Sequence, residues 1–442
     1  MASNAEVLYT KPEKIRTLIG VFLGYLFDGY DLQLLSYLIP SISISFAVQP
    51  FVIASSITIT LIGSVIGGLL FGWIADILGR RRTLLLTIFV FGLFTLLTGF
   101  ADNIFQFFLL RFFSGLGIGG EWGIGFSLLN EAWSERTRGA WGGVLQSMFQ
   151  YGILGAATTA GFFIAGYGTA LGWRYSFIFA GLVSLLLLSV RFIIPESKVW
   201  LMYAEKRRAG ELPAGYDVRA PIIQIFSRKN IRWTLLTSFY SAFALFGGYS
   251  MIVFMPTYLG GPPSCQSCLH IPIATYTFMI ILAVIAGTPG YWLDGFLADK
   301  FGRKRVAQLF IAGLLVTLVA FFYQAVSITS AEVSHMSIQS IPTFPIFYIL
   351  IAFNFFNGYF AHMGVWYGEL FPTKIRATST NFAYIVAGRG LGAGLAPILI
   401  PILSGIAGYG WAMAVGAISA SAVALIISTA IKETKGTVIT PL

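Results

Sequence analysis

Apolar and polar residues alternate along the chain in long blocks rather than residue by residue. Apolar runs long enough to cross a bilayer recur between residues 17 and 431, and short polar stretches separate them. Because about 20 apolar residues are needed to span the hydrocarbon core, each run predicts a membrane-spanning helix. The predicted spans, one to twelve, are 17–40, 51–75, 84–101, 105–132, 140–166, 175–195, 233–258, 271–296, 307–327, 343–369, 378–404 and 408–431.

The longest polar break falls between spans six and seven. We therefore predict an N-terminal six-helix bundle over 1–195, a cytoplasmic linker with short surface helices over 196–232, and a C-terminal six-helix bundle over 233–442. We call the two bundles the first half and the second half. An even number of spans places both termini on the same side of the membrane.

Composition agrees with the pattern of spans. Of 442 residues, 57% are hydrophobic and 10% are charged, and the mean hydropathy is +0.80. Soluble domains are about one quarter charged, so this chain has too little polar surface for a cytosolic enzyme, and it is too apolar to be disordered or fibrous. The fold class expected is an all-α polytopic membrane protein.

The positions of the cations along the chain explain the net charge of +10. All but four of the 28 Lys and Arg fall in segments on one side of the predicted membrane; the exceptions are Arg111, Arg174, Arg191 and Arg389. This bias marks that side, with both termini, as cytoplasmic, and it argues against nucleic-acid binding. The polar N-terminus predicts no cleavable signal peptide, and we expect a multi-pass plasma-membrane protein.

Two cysteines, Cys265 and Cys268, lie in one predicted outer loop. A structural zinc site takes four ligands, so this pair alone does not make one. A short disulfide and a pair of free thiols both remain open.

Two motifs occur once in each half. A Gly-x-x-x-Asp-x-x-Gly-Arg-Arg/Lys sequence follows spans two and eight, and a Glu and an Arg seven positions apart end spans four and ten. The repetition in the same order and at equivalent helix ends predicts an internal duplication. The residues are Gly72, Asp76, Gly79, Arg80 and Arg81, then Gly295, Asp299, Gly302, Arg303 and Lys304, and the pairs Glu131 with Arg138 and Glu369 with Arg376.

With these motifs the chain resembles the major facilitator superfamily over essentially its whole length. The resemblance implies two six-helix bundles around a central cavity that opens alternately to the two sides. Asp28-Gly29-Tyr30-Asp31 in span one is similar to a motif of proton symporters for sialic and aromatic acids, and Gly119-Gly120-Glu121-Trp122-Gly123 in span four is similar to one of sialate and monocarboxylate:proton symporters. Gly368 to Thr378 at the end of span ten and Gly388-Arg389-Gly390 in span eleven are similar to sequences of organic-acid and sugar symporters.

Charged residues deep in the spans are the first candidates for function, because a charge at bilayer depth is costly unless it is paired or hydrated. At about 1.5 Å per residue, Asp28, Asp31, Arg111 and Arg389 fall near one plane, about 17–21 Å from the inner face. Glu121 falls about 15 Å further inward than Arg111 on the same helix.

The chemistry of these residues suggests roles. Asp28 and Asp31 lie one turn apart and cannot both ionise cheaply, so one is expected to take up and release protons. The resemblance implies that Asp31 and Arg111 couple proton binding to substrate binding, with Asp28 as a second carrier. Arg389 suits a substrate carboxylate, which a guanidinium binds through two bonds, although a structural salt bridge is the alternative. Glu121 is either a further proton site or a structural acid.

Uncharged polar residues and the duplicated motifs complete the candidate site. The amides and phenol that could contact substrate could equally make interhelical hydrogen bonds, and for His362 we favour a structural role. The motif residues are expected to pair on the cytoplasmic side and to lock the outward-open state. The substrate candidates are Gln33, Gln146, Gln150, Tyr249, Asn354 and Asn357, and the gating candidates are Asp76, Arg80, Glu131, Arg138, Asp299, Arg303, Glu369 and Arg376.

These residues predict a symporter that imports a small carboxylate with protons, works as a monomer in the lipid bilayer, and needs no cofactor or metal beyond the proton gradient. A sugar:proton symporter is the main alternative, and a non-transporting sensor of the same fold is another. A membrane enzyme is disfavoured because His270, His335 and His362 are far apart and no catalytic spacing occurs. No phosphate-binding loop suggests an ATP-driven pump.

Overall fold

A computed structural model describes residues 9–211, 220–260, 265, 267–328, 333 and 336–439. A helix lies over each of the twelve predicted spans, and the described part of the chain has no β-strand. In the first half the helices are Lys11–Phe46, Pro50–Leu78, Arg80–Thr98, Ile104–Ala132 and Arg138–Arg191, the last of which holds spans five and six. In the second half they are Ile231–Ile252, Met255–Gly260, Ile273–Gly287, Pro289–Phe301, Arg303–Ser327, Pro345–Phe356, Met363–Leu370, Arg376–Asn381, Gly394–Ala407 and Tyr409–Ala430.

Glycines with left-handed backbone mark the sharpest changes of direction. Spans five and six meet at Gly168, where φ is 71°, so the helix breaks where the sequence predicts a boundary. The second glycine of each duplicated motif, Gly79 or Gly302, has a φ of 105° or 107° and joins two spans without a longer loop. Only glycine adopts such angles at little cost, which explains its place in the motif.

Spans eight, ten and eleven are each interrupted. Pro289 begins a new helix within span eight, and a 3₁₀ turn, Asn357–Phe360, divides span ten. In span eleven, Phe382–Ala393 forms a π-helix that carries Arg389. π-Helical turns are rare and are frequent at functional sites, because they re-aim side chains at the cost of regular hydrogen bonding.

Close packing depends on small residues. Span four crosses span two so tightly that a Cβ atom at Gly115 or Gly119 would lie 2.1 or 2.0 Å from a carbonyl oxygen of span two. The glycine-rich stretch of span four therefore serves helix contact, as small residues do in other membrane helices. The same span buries Trp122 completely.

One end of the bundle, which we call the basic face, carries the duplicated motifs and the ends of the described chain. Near the N-terminus, Glu13 pairs with Lys198 at 2.7 Å, and near the C-terminus the carbonyl of Thr437 accepts from Arg138. The predicted linker contributes the helices Lys198–Arg208 and Pro221–Gln224 to this face. Residues 212–219 of the linker lie outside the described part.

At the opposite face Cys265 and Cys268 form a disulfide, which decides between the two alternatives left open by the sequence. Between them in sequence, the Ser267 hydroxyl accepts a hydrogen bond from the backbone N–H of Tyr409, at 3.0 Å. The short loop thus holds the start of span twelve.

Candidate functional site

The first buried ion pair lies within the first half. Arg111 of span four donates to both carboxylate oxygens of Asp31 in span one, at 3.2 and 2.7 Å. The hydroxyl of Thr95 donates to the same carboxylate at 2.8 Å, and Ser114 lies 3.4 Å from it. Asp31 and Arg111 are both fully buried. The pair is neutral as a whole, which lowers the cost of holding two charges at this depth.

The second buried ion pair joins the two halves. Arg389 of span eleven donates to both carboxylate oxygens of Asp28 in span one, at 3.2 and 2.8 Å, and each residue is about 1% exposed. The guanidinium lies 5.8 Å from the ring of Phe149 and 5.9 Å from that of Tyr384. Within the described residues, its Nε atom has no hydrogen-bond partner.

The sequence predicts two neighbouring aspartates that cannot both ionise cheaply, one of which takes up and releases protons. The structure shows a different arrangement, in which each aspartate has an arginine of its own. Asp31 pairs with an arginine of its own half, and Asp28 pairs with an arginine of the other half. The spacing of the aspartates on one helix face could not reveal this pairing. Arg389 therefore forms a salt bridge, which was one of its two alternatives. It also binds a carboxylate through two hydrogen bonds, which is what the other alternative, an anion site, requires.

Amides and aromatic rings surround the second pair. Gln146 accepts from the indole of Trp122 at 3.0 Å and donates to the hydroxyls of Tyr25 and Tyr384 at 2.9 and 3.5 Å. The rings of Trp122 and Tyr384 stack with centroids 3.6 Å apart. Because Tyr384 belongs to span eleven, Gln146 contributes to contact between the halves.

The remaining candidates differ in position. Gln150 donates to the hydroxyl of Tyr291 across the halves at 3.2 Å, and Asn357 is buried in span ten. Tyr249 is near enough to Arg389 to interact with it electrostatically. Asn354 donates to the carbonyl of Leu350 in its own helix. Gln33 is half-buried, two residues beyond Asp31.

Glu121 is buried in span four, near enough to Asp28 of the second pair to interact with it electrostatically. Its carboxylate accepts a hydrogen bond from the hydroxyl of Thr87 in span three. This hydrogen bond joins spans three and four. Glu121 therefore has the structural contact that one of its two alternatives requires.

Two glutamates organise the basic face, each between two arginines. Glu131 of the first half accepts from Arg80 of its own half at 3.0 Å and from Arg376 of the second half. Glu369 of the second half accepts from Arg303 of its own half at 2.9 Å. It also accepts from Arg138 of the first half at 2.9 Å.

The motif aspartates extend this network across the halves. Asp76 accepts from the backbone N–H groups of Ala377 and Thr378, at 3.3 and 2.9 Å, at the start of span eleven. Asp299 accepts from those of Gly139 and Ala140, both at 2.8 Å, at the start of span five. A carboxylate at a helix N-terminus interacts favourably with the free N–H groups and the helix dipole.

The first glycine of each motif lets the halves approach closely enough for these contacts. A Cβ atom at Gly295 would lie 2.3 Å from the carbonyl oxygen of Gly139, and one at Gly72 would lie 3.0 Å from the side chain of Asn381. The motif thus combines a close crossing, a capping carboxylate, a tight turn and an arginine. In this conformation the basic face is closed.

Sequence reasoning missed Glu196 and Glu433, which cap the helices after the motifs. Glu196 accepts from the backbone N–H groups of Arg80 and Arg81 at 2.9 and 3.1 Å, and Glu433 accepts from those of Arg303 and Lys304 at 2.9 and 3.1 Å. A repeat signal exists: Ile-x-Glu-Ser-Lys at 194–198 recurs as Ile-x-Glu-Thr-Lys at 431–435. Asp294, near the end of span eight, was also missed.

Asp76→Asn and Glu131→Gln are expected to slow exchange at saturating substrate by about tenfold or more, with little change in substrate affinity. Each removes a charged hydrogen bond worth about 1.5–3 kcal/mol from the closed basic face, and neither residue contacts the membrane-depth pairs. Binding by calorimetry and counterflow in proteoliposomes would separate the two effects. Asp102→Asn, at an exposed acid of the opposite face, is the matched control. A large loss of affinity with normal exchange would contradict the gating role.

The fold and this network define a membrane transporter built from two related halves. The family model described as the Major Facilitator Superfamily matches residues 21–262, which is more than half of the chain. The chain belongs to the major facilitator superfamily, and it is a transporter rather than an enzyme.

Curated relatives match almost the whole chain. The cis,cis-muconate transport protein of Acinetobacter baylyi is 29% identical over 389 residues, which cover 87% of this chain and 86% of the relative. The sialic acid transporter NanX of Escherichia coli is 26% identical over 426 residues, which cover 94% of each chain. They confirm the predicted resemblance to organic-acid and sialate transporters.

A solved structure confirms the fold. The major facilitator proton:xylose symporter XylE, bound to 6-bromo-6-deoxy-D-glucose, superposes with a TM-score of 0.74 at 19% identity, and the match covers 98% of each chain.

Proposed function

We propose that this protein imports a small organic carboxylate together with protons, by alternating access of its two halves. The observation that carries the proposal is the Asp28–Arg389 pair, which joins the halves through two hydrogen bonds deep in the spans. We propose further that the halves move about the 196–232 linker and that the basic face is cytoplasmic, in a plasma-membrane protein. A single chain holds both ion pairs, which supports a functional monomer.

The substrate carboxylate would take the place of Asp28 on Arg389. A protein carboxylate already occupies the two-pronged position in which a guanidinium binds such a group, so the geometry needed by an organic acid is present. The unpartnered Nε atom offers a third donor, and the rings of Phe149 and Tyr384 provide apolar walls for the rest of the molecule. Relatives named for muconate and sialic acid support an acid as cargo.

Proton coupling would use the other pair. A proton on Asp31 removes the charge that holds Arg111, and the hydroxyls of Thr95 and Ser114 can hydrogen-bond to either form of the carboxyl group. The two buried pairs then carry one net positive charge, which a substrate anion bound at Arg389 neutralises. Proton binding and anion binding thereby favour each other, which is the requirement for symport.

A sugar:proton symporter remains the second candidate. The hydrogen-bonding amides Gln146 and Gln150 and the tyrosines around them are the groups a sugar site generally uses. Arg389 would then be a structural residue.

The test is uptake by proteoliposomes that contain the full-length protein, with the proton gradient directed inward. We expect accumulation of labelled cis,cis-muconate or sialic acid and none of labelled xylose, and we expect a proton ionophore to abolish it. Empty liposomes control for leakage of the free acid. Gradient-driven accumulation of xylose without either acid would replace the carboxylate proposal by the sugar alternative.

Asp28→Asn is expected to make carboxylate binding much less dependent on pH. In the native protein Asp28 competes with the substrate for Arg389, and acid relieves that competition by protonating the aspartate. For one competing proton the apparent affinity changes by up to about tenfold per pH unit. Titration of tryptophan fluorescence with cis,cis-muconate at several pH values measures the effect. An unchanged pH profile would show that Asp28 does not occupy the substrate position.

A further inference from the structure

A third buried acid–base pair lies in the second half, apart from both arginine sites. His362 of span ten places its Nδ1 atom 2.9 Å from one carboxylate oxygen of Asp294 in span eight and 3.2 Å from the other. Both side chains are fully buried. The sequence favours a structural role for His362, but the spacing along the chain does not show its partner.

This pair differs chemically from the other two. An arginine keeps its charge at any physiological pH, so Asp28 and Asp31 each form a neutral pair without an added proton. A histidine is charged only when protonated, so Asp294 and His362 together are neutral with one shared proton and carry one negative charge without it. Leaving that net charge in a fully buried site is costly, so the closed structure favours the proton-loaded pair.

The groups around the pair do not replace the proton. The hydroxyl of Tyr240 in span seven lies 3.5 Å from Nε2 of His362, and the ring of Trp366 lies 5.7 Å away. Arg303 and Tyr291 interact electrostatically with Asp294, but Arg303 is already engaged by Glu369 and Asp299. A single cation shared with two other acids does not neutralise Asp294.

The pair lies directly behind the surface that closes the basic face. Ala361, next to His362, has its carbonyl oxygen 3.6 Å from where a Cβ atom of Gly142 would stand, and Gly295, next to Asp294, packs on Gly139. Both partners belong to span five of the first half. Separation of span five from spans eight and ten would therefore bring water to the pair from the basic face.

We propose that Asp294 and His362 form a second proton-binding site, which holds its proton while the basic face is closed and releases it to water on that side when the face opens. Release leaves a carboxylate and a neutral imidazole. This second proton site assumes one part of the proposed function, namely alternating access, and it does not depend on which substrate is carried. By linkage, a site that binds its proton more tightly in the closed state makes acid favour closure and alkali favour opening.

The experiment measures opening directly, without substrate. Spin labels are placed at Arg82→Cys and Arg305→Cys, equivalent exposed positions of the two halves at the basic face, while the native cysteines stay joined in their disulfide. Electron–electron distances are recorded in nanodiscs between pH 5 and 9. The background is Asp31→Asn, so that this acid cannot account for the result. Asp28 would give the opposite sign, because its protonation breaks the pair with Arg389 between the halves and favours opening in acid.

In that background we expect the ratio of open to closed protein to rise with pH, by up to about tenfold per unit for one proton. Asp294→Asn and His362→Gln, singly and together, should flatten the dependence, and either single variant suffices if the other does not fold. A rise that survives both changes, or no pH dependence in the Asp31→Asn protein, would overturn the proposal. Failure of muconate and sialic acid uptake, with this pH dependence intact, would count against the carboxylate substrate alone.

Discussion

Asp31→Asn is expected to abolish accumulation driven by a proton gradient, down to the level of empty liposomes, while exchange of substrate across the membrane continues. An amide matches the carboxylate in shape and can still accept from Thr95 and Arg111, but it cannot carry a proton. Gradient-driven uptake and counterflow of labelled cis,cis-muconate in the same liposomes distinguish the two activities.

The matched control is the double variant Asp31→Asn with Arg111→Gln, because Asp31→Asn alone leaves the charge of Arg111 without its buried partner. Loss of one partner of a buried pair costs about 3–5 kcal/mol, so the single variant is expected to be less stable. Adding Arg111→Gln restores a neutral site and should recover stability without recovering accumulation. If liposomes with Asp31→Asn still acidify during uptake at the native rate, Asp31 is not the proton carrier.

Arg389→Lys is expected to weaken binding of the organic acid by about ten- to hundredfold and to leave binding of its neutral amide almost unchanged. Lysine keeps the charge but presents one point contact in place of the two parallel hydrogen bonds now made to Asp28. A hydrogen bond to a charged group is worth about 1.5–3 kcal/mol, which sets the size of the loss. Competition of acid and amide against a labelled ligand measures both affinities.

Arg174→Lys provides the comparison for Arg389→Lys. Arg174 lies at the opposite face, where it donates to the carbonyl of Gly99 at 3.1 Å and stacks over Trp173. Its replacement should change neither affinity. Equal losses for acid and amide in Arg389→Lys would remove Arg389 from the anion site and favour the sugar alternative.

The basic face shows how a duplicated motif becomes an interface. Each half supplies one glutamate that binds an arginine of its own half and one of the other half, and one aspartate that caps a helix of the other half. The glutamate–arginine contacts are buried, so opening the face must break several charged hydrogen bonds together. Such a network favours two discrete states over a continuum.

The sequence alone determined the fold and much of the candidate site. Long apolar blocks fix the spans, because a bilayer accepts only helices whose backbone bonds are internal. The duplicated motifs indicate the gating residues, because they recur in the same order at equivalent helix ends of each half, and the tight glycine turns are a property of local sequence. Charges deep in the spans single out Asp28, Asp31, Arg111 and Arg389 because of their cost.

Only the tertiary structure decided which charge meets which. Asp28 and Asp31 share one helix face, yet one binds Arg389 of the other half and the other binds Arg111 of its own. Asp294 and His362 lie 68 positions apart and become a pair only because spans eight and ten pack together. Periodicity along one helix gives the direction of a side chain, but its partner depends on how separate helices cross, and that is set by packing between distant parts of the chain.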